Sequence, residues 1–181
     1  MIGLGLSTCQ GTPAVAAMSS TPIFSKIDAD TYREVCSQFA TGVAVATVKA
    51  PDGTPHGLTI SSFNSVSINP PLILICIDFK CTAIEHFLAG PYFAINILRE
   101  EQRELSVIFA AKPESRFEDI AWEPGVTGAP VLSGTLATIE CRLERTVSAG
   151  DHAVIFGELI LAHVHGGSPL LYFDRDYRKI R

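Results

Sequence analysis

The sequence predicts a mainly β protein with a few helices, folded as an antiparallel barrel. Three observations carry this expectation. Six or more alternating or β-branched runs are separated by turn signals at short intervals. The helical stretches are too few and too irregular to act as βαβ crossovers. The chain has 181 residues, one domain's worth, enough to bury a core without disulfides or metal.

Taken in order, residues 1–24 are expected to be a disordered extension, and 25–181 the folded domain. Met1 to Ala17 is apolar, rich in small residues and ends in Ala-Val-Ala-Ala. No Lys or Arg precedes it to form the basic head of a secretion signal, and Met18 is an alternative start. A first helix is expected over Thr31 to Phe39, with Asp30 as N-cap and Glu34 favouring its N-terminal half. Tyr32, Val35, Cys36 and Phe39 would form its buried stripe. Gly42 then releases the β-branched run Val43 to Val48, and Pro51-Asp52-Gly53 turns it into a hairpin with the next strand.

That next strand opens the most informative stretch, His56 to Asp78. Leu58 and Ile60 alternate with Thr59 and Ser61, which puts apolar side chains on one face and hydroxyls on the other. Polar side chains continue through Ser62, Asn64, Ser65 and Ser67 until Pro70-Pro71 ends the element. The apolar run Leu72 to Ile77 then enters the core. A row of uncharged donors and acceptors beside a buried strand suits a polyhydroxylated ligand that carries a phosphate. A Ser/Thr-rich turn is the alternative reading of the same residues.

Beyond Asp78, Thr82 to Leu88 reads as a short helix stopped by Gly90-Pro91, and Tyr92 to Leu98 as a strand whose Asn96 requires a partner. Glu100 to Ala111 has helical spacing, with Leu105, Ile108 and Phe109 apolar, and leads to the cations Lys112 and Arg116. Gly125 to Pro130 is loop. Val131 to Val147 and His152 to His165 are two long strands separated by Ser148-Ala149-Gly150-Asp151, and Pro169 to Ile180 adds two short ones.

Composition narrows the function. The chain is 47% hydrophobic and only 18% charged, so some apolar surface is expected to be covered by a second copy in a homodimer. A net charge of -5 leaves no electrostatic footprint for nucleic acid or an anionic membrane surface. The five cysteines form no Cys-x-x-Cys pair, so they read as reduced thiols of a cytoplasmic protein rather than a disulfide or zinc framework. No run of about 18 apolar residues is available to span a membrane.

No catalytic triad, zinc motif or Gly-rich phosphate loop appears, so an enzyme of this sequence would rely on a cofactor. Cys76 and Cys81 sit beside apolar sequence and read as core thiols. His163 and His165, two apart on a strand, share a face but have no third metal ligand in sight, and no metal is expected. Gly150-Asp151-His152 could present an imidazole to a ligand at the mouth of a strand.

One ordered set of motifs goes further. Gln38-Phe39-Ala40-Thr41-Gly42-Val43, His56-Gly57-Leu58-Thr59-Ile60-Ser61-Ser62-Phe63, Ser65-Val66-Ser67, Pro70-Pro71-Leu72, Phe93 to Leu98, Gly150-Asp151-His152 and Pro169-Leu170-Leu171-Tyr172 occur in that order. Together they closely resemble the flavin reductase-like, FMN-binding split-barrel family, the reductase components of two-component flavin monooxygenases. The resemblance runs from Ile27 to about Arg178.

It implies a homodimeric split barrel that binds FMN or FAD, reduces it with NADH or NADPH and supplies reduced flavin to a separate monooxygenase. Flavin-binding candidates are then Thr59, Ser61, Ser62, Phe63, Ser65, Thr82 and Asn96. Lys112 and Arg116 would serve as charge-assisted donors to phosphate. His152, Tyr177 and Arg178 would border the nicotinamide. Two departures stand out: Cys81 occupies a position where the family often has Ser, and Asp174-Arg175-Asp176 replaces a Gly-rich turn. A flavoprotein that keeps FMN permanently, or a non-catalytic flavin-binding sensor, would share the same motifs.

Overall fold

The computed structural model describes residues 26–111 and 117–180. The chain begins with α1 (Ala29–Ser37), β1 (Thr41–Gly42), β2 (Ala44–Lys49), β3 (Pro55–Ile60), β4 (Asn64–Ile68) and β5 (Pro71–Asp78). α2 (Ile84–Ala89), β6 (Tyr92–Ile97), a 3₁₀ turn (Glu100–Gln102) and α3 (Arg103–Ala110) follow. The remainder is β7 (Trp122–Pro124), β8 (Pro130–Leu132), β9 (Ala137–Ala149), β10 (His152–Val164), β11 (Leu171–Phe173) and β12 (Asp176–Arg178).

Seven strands form one antiparallel sheet in the order β3-β2-β6-β9-β10-β5-β4. β3 and β4 are its opposite edges, yet only Ser61, Ser62 and Phe63 separate them in sequence. Such a link spans at most about 14 Å, so the sheet must curl until its two edges approach. Ser62 stitches the approach: its hydroxyl donates to the Cys76 carbonyl at 3.1 Å and accepts from the Cys76 N–H at 2.9 Å. Among the described residues no ladder joins β3 to β4, and the barrel remains split.

Two cores result. Ile73, Ile75 and Ile77 of β5 point into the barrel with Phe93, Ile95 and Ile155, while Leu72, Leu74 and Cys76 lie half-buried on the other face. The apolar run therefore alternates in burial rather than being enclosed on both sides, because β5 lies next to the sheet edge. Val43, Val45, Leu98, Phe109, Leu132 and Leu170 form the second core, which takes in Phe109 of α3.

Three expectations are corrected. The N-cap of α1 is Asp28, not Asp30, because the Asp28 carboxylate accepts from the N–H groups of Asp30 and Thr31 at 3.0 and 2.8 Å. The stripe expected to be buried is exposed in the single chain, at 64% for Tyr32, 67% for Val35 and 75% for Phe39. The first long strand starts at Ala137 rather than Val131. Val131 belongs to β8, which pairs with β7, and Gly134 (φ 70°) turns the chain before β9 begins.

The closing hairpin β11–β12 turns through Asp174 (φ 50°) and Arg175 (φ 60°), both left-handed. A two-residue hairpin turn of this hand favours Gly or Asn, so the departure from the Gly-rich pattern is accommodated as backbone strain at two side-chain-bearing residues. This turn also reaches α1, through an Asp174 N–H donating to the Ser37 carbonyl at 2.8 Å.

Candidate functional site

The period-2 alternation of β3 turns Thr59 toward α3 while Ile60 enters the barrel core. α3 lies along this end of β3, and the Thr59 hydroxyl donates to the Ser106 carbonyl at 2.6 Å. On the other side stands β11–β12, whose Tyr172 and Tyr177 are cross-strand partners with ring centroids 5.4 Å apart. The three elements flank an open cavity of about 180 Å³ lined by Thr59, Ser61, Ser106, Ala110, Tyr172 and Tyr177.

This cavity is the middle of a groove. It shares Val43 and Ser61 with an apolar depression of about 140 Å³ that adds Phe39, Gly42, Phe63 and Ile97. At its other end it shares Thr59 and Ala110 with a depression of about 370 Å³ that adds Asp78, Lys80, Cys81 and Thr82. The groove thus passes from an apolar end, through a row of hydroxyls, to an end with a lysine, a threonine and the Asp78 carboxylate.

The residues singled out from sequence divide. Thr59, Ser61, Phe63, Thr82 and Tyr177 line the groove. The Ser61 side chain is exposed there, free of any protein partner among the described residues. Ser62 does not face a ligand, since both functions of its hydroxyl are taken by the Cys76 backbone. Ser65 is exposed on β4 and lines none of the three depressions.

Asn96 is fully buried. Its amide donates to the Val45 carbonyl and the Thr47 hydroxyl, both at 3.1 Å, and accepts from the Leu132 N–H at 2.8 Å, so it ties β2, β6 and β8 together. The partner it requires is protein, not ligand. Arg178 alternates away from Tyr177 on β12 and pairs with Asp176 at 3.2 Å. Lys112 and Arg116 lie outside the described residues.

His152 is half-buried at the start of β10, directly across the ladder from Asp78, which lines the wide end of the groove. Its Nδ1 lies 2.7 Å from Asp151 Oδ1, and this hydrogen bond holds the Asp151 carboxyl below its usual range. Burial pushes the Cys76 thiol up, and the Cys141 thiol, deeper in the barrel, up to about 12. Neither is suited to act as a thiolate nucleophile. The His163 and His165 rings are exposed with centroids 6.3 Å apart, and no cluster of three metal-ligating side chains occurs among the described residues.

Sequence reading missed Ser106, Tyr172 and Lys80 as groove residues. A serine in mid-helix and a lysine after a strand carry no local signal, and only the approach of α3 and β11–β12 to β3 brings them together.

Comparison with known proteins agrees with this geometry. A family model described as a flavin reductase like domain matches residues 36–181. A flavin reductase (NADH) from Kitasatospora aureofaciens is 40% identical over 161 residues, covering 84% of this chain and 82% of its own. The reductase subunit of a flavin-dependent monooxygenase from Mycobacterium tuberculosis is 35% identical over 159 residues, covering 86% and 84%. Among solved structures, an NADH:FAD oxidoreductase of Streptomyces globisporus in complex with NAD and FAD fragments superposes with a TM-score of 0.81 at 33% identity, over 85% of this chain and 93% of the other.

Proposed function

The chain belongs to the flavin reductase-like family and is an NAD(P)H-dependent flavin oxidoreductase, and we propose that the flavin lies along the groove between β3, α3 and the β11–β12 hairpin. One observation carries this placement, the order of chemistries along the groove. A flavin nucleotide is a largely apolar ring system joined to a polyol that ends in phosphate. The groove offers Phe39, Phe63 and Ile97, then Thr59, Ser61 and Tyr177, then Thr82 and Lys80, in the same order.

When bound, the flavin supplies the hydride acceptor and the nicotinamide the donor, which accounts for a site without an acid–base triad. The protein's part is to bind, orient and exclude water. Thr59, fixed on the Ser106 carbonyl, keeps its oxygen lone pairs for a polyol hydroxyl, and Ser61 offers both donor and acceptor. Lys80 and Thr82 provide a cation and a hydroxyl for phosphate, with Thr82 taking the part that Cys81 cannot. Tyr172 and Tyr177 close one side against solvent. His152 lines none of the three depressions, and its pairing across the ladder with Asp78, which lines the wide end, is what supports a role beside the nicotinamide.

The groove is an open surface feature, which favours a flavin that exchanges over one retained permanently, and so favours delivery of reduced flavin to a separate monooxygenase. The exposed apolar residues of α1 support a homodimer in which a second copy covers Tyr32 and Val35. Among the described residues no helix is long and apolar enough to cross a membrane. Steady-state oxidation of NADH and NADPH with riboflavin, FMN and FAD tests the activity. Turnover is expected with all three flavins, with lower Michaelis constants for the phosphorylated ones. Absence of nicotinamide oxidation would leave a non-catalytic flavin binder, and equal constants for riboflavin and FMN would remove the phosphate end from the site.

A further inference from the structure

Two side chains from one face of α3 converge on a single tyrosine. Arg103 and Ser106 are three residues apart on the helix and so share a face. The Ser106 hydroxyl hydrogen-bonds the Tyr177 phenol at 2.8 Å, and the Arg103 guanidinium lies 5.2 Å from the centre of the Tyr177 ring. Arg103 is also 3.9 Å from the Asp176 carboxylate, on the same short strand. Tyr177 in turn lines the 180 Å³ cavity, as Ser106 and Ala110 do.

We propose that Ser106 is a positioning residue that acts through Tyr177, locking the phenol ring as the fixed wall against which the bound flavin packs. This role rests on the flavin placement given above. Ser106 has no exposed surface, and its carbonyl and hydroxyl are both committed. Its carbonyl holds Thr59 and its hydroxyl holds Tyr177, so opposite walls of one cavity are tied to the same residue.

Tyr177 sits on the edge strand of a small sheet. Among the described residues β12 pairs only with β11, over three residues, while β11 is anchored on its other side by β1 at Thr41 and Gly42. Docking on α3 gives β12 a second attachment, at the Tyr177 side chain itself. A wall held in one rotamer costs a ligand no side-chain entropy on binding, whereas a mobile tyrosine must be immobilised at each encounter.

Four proteins test this: wild type, Ser106→Ala, Tyr177→Phe and the double variant, with Ser106→Cys as a volume-preserving second substitution. The near-ultraviolet circular dichroism difference between wild type and Tyr177→Phe isolates the band of an immobilised Tyr177. Ser106→Ala is expected to lose that band and to raise the FMN dissociation constant about three- to tenfold. Tyr177→Phe is expected to weaken FMN to a similar extent, the double variant no further than either single one, and Ser106→Cys to fall between wild type and Ser106→Ala.

A Tyr177 band that survives in Ser106→Ala, or in Ser106→Cys should the alanine variant misfold, would overturn the positioning role. An unchanged FMN constant with the band lost would do the same, as would additive losses in the double variant. Failure of the wild-type protein to bind any flavin would overturn the flavin placement and this role with it. That failure is distinguishable because it appears before any substitution is made.

Discussion

Ser62 and Cys76 form a closed hydrogen-bonded pair in which one hydroxyl satisfies both backbone groups of a residue on the facing strand edge. Its neighbour Ser61 faces the groove instead. The adjacent serines therefore differ in what a substitution should cost. Ser62→Ala leaves a half-buried N–H and carbonyl unpaired and is expected to lower stability by about 1 to 3 kcal/mol in chemical denaturation. Ser61→Ala is expected to leave stability unchanged and to weaken FMN binding. The reverse assignment of these effects would exclude the stitch.

The turn at Asp174 and Arg175 is the second measurable consequence. Arg175 has φ 60°, where a side chain costs about 1 to 2 kcal/mol relative to glycine. Arg175→Gly is expected to recover roughly 0.5 to 1 kcal/mol after the entropy of glycine in the unfolded chain is counted. A raised thermal midpoint with unaltered flavin binding is the expected result, and a lowered midpoint would mean that Arg175 makes compensating contacts.

The stripe on α1 gives a test of assembly. Val35→Asp or Tyr32→Asp places a charge on the apolar face and is expected to shift light scattering from a dimer toward the 19.5 kDa single chain. A wild-type protein that scatters as a monomer at micromolar concentration would contradict the dimer directly.

The same helix carries a pH dependence. Hydrogen bonds from the Thr31 N–H and hydroxyl, and from the Asp30 N–H, hold the Asp28 carboxyl below its ordinary value. A depressed folded value means that the cap's contribution is complete above the unfolded value and is lost as pH falls through the folded one. Amide exchange over α1, corrected for intrinsic rates, is expected to lose protection as pH falls below the ordinary carboxylate range. Asp28→Asn, which caps without titrating, should abolish that change.

His152 offers a test that separates the two ligands. If the imidazole borders the nicotinamide, His152→Ala raises the Michaelis constant for NADH or slows hydride transfer, with the flavin dissociation constant nearly unchanged. Stopped-flow reduction of pre-bound flavin across a range of NADH concentrations reads both quantities. Joint weakening of both ligands with a reduced thermal midpoint would mark His152 as structural, a strand-end residue paired with Asp151.

The strand pattern and the hairpin at Pro51-Asp52-Gly53 were decided by local sequence, because alternation and turn chemistry act over a few residues. The ordered motifs also identified the family. What they could not decide was the direction in which each polar side chain works. Thr59 and Ser62 look alike along the chain, yet one lines the groove and the other closes the split, since the curl of the sheet brings Cys76 to Ser62 and α3 to Thr59. Asn96 reads as a ligand contact until β2 and β8 close on it and take up its amide. Ser106 and Tyr177, 71 residues apart, become one unit only when α3 packs beside the closing hairpin. The stripe on α1 has the periodicity of a buried face in sequence, but periodicity says that a surface is apolar and not which molecule covers it.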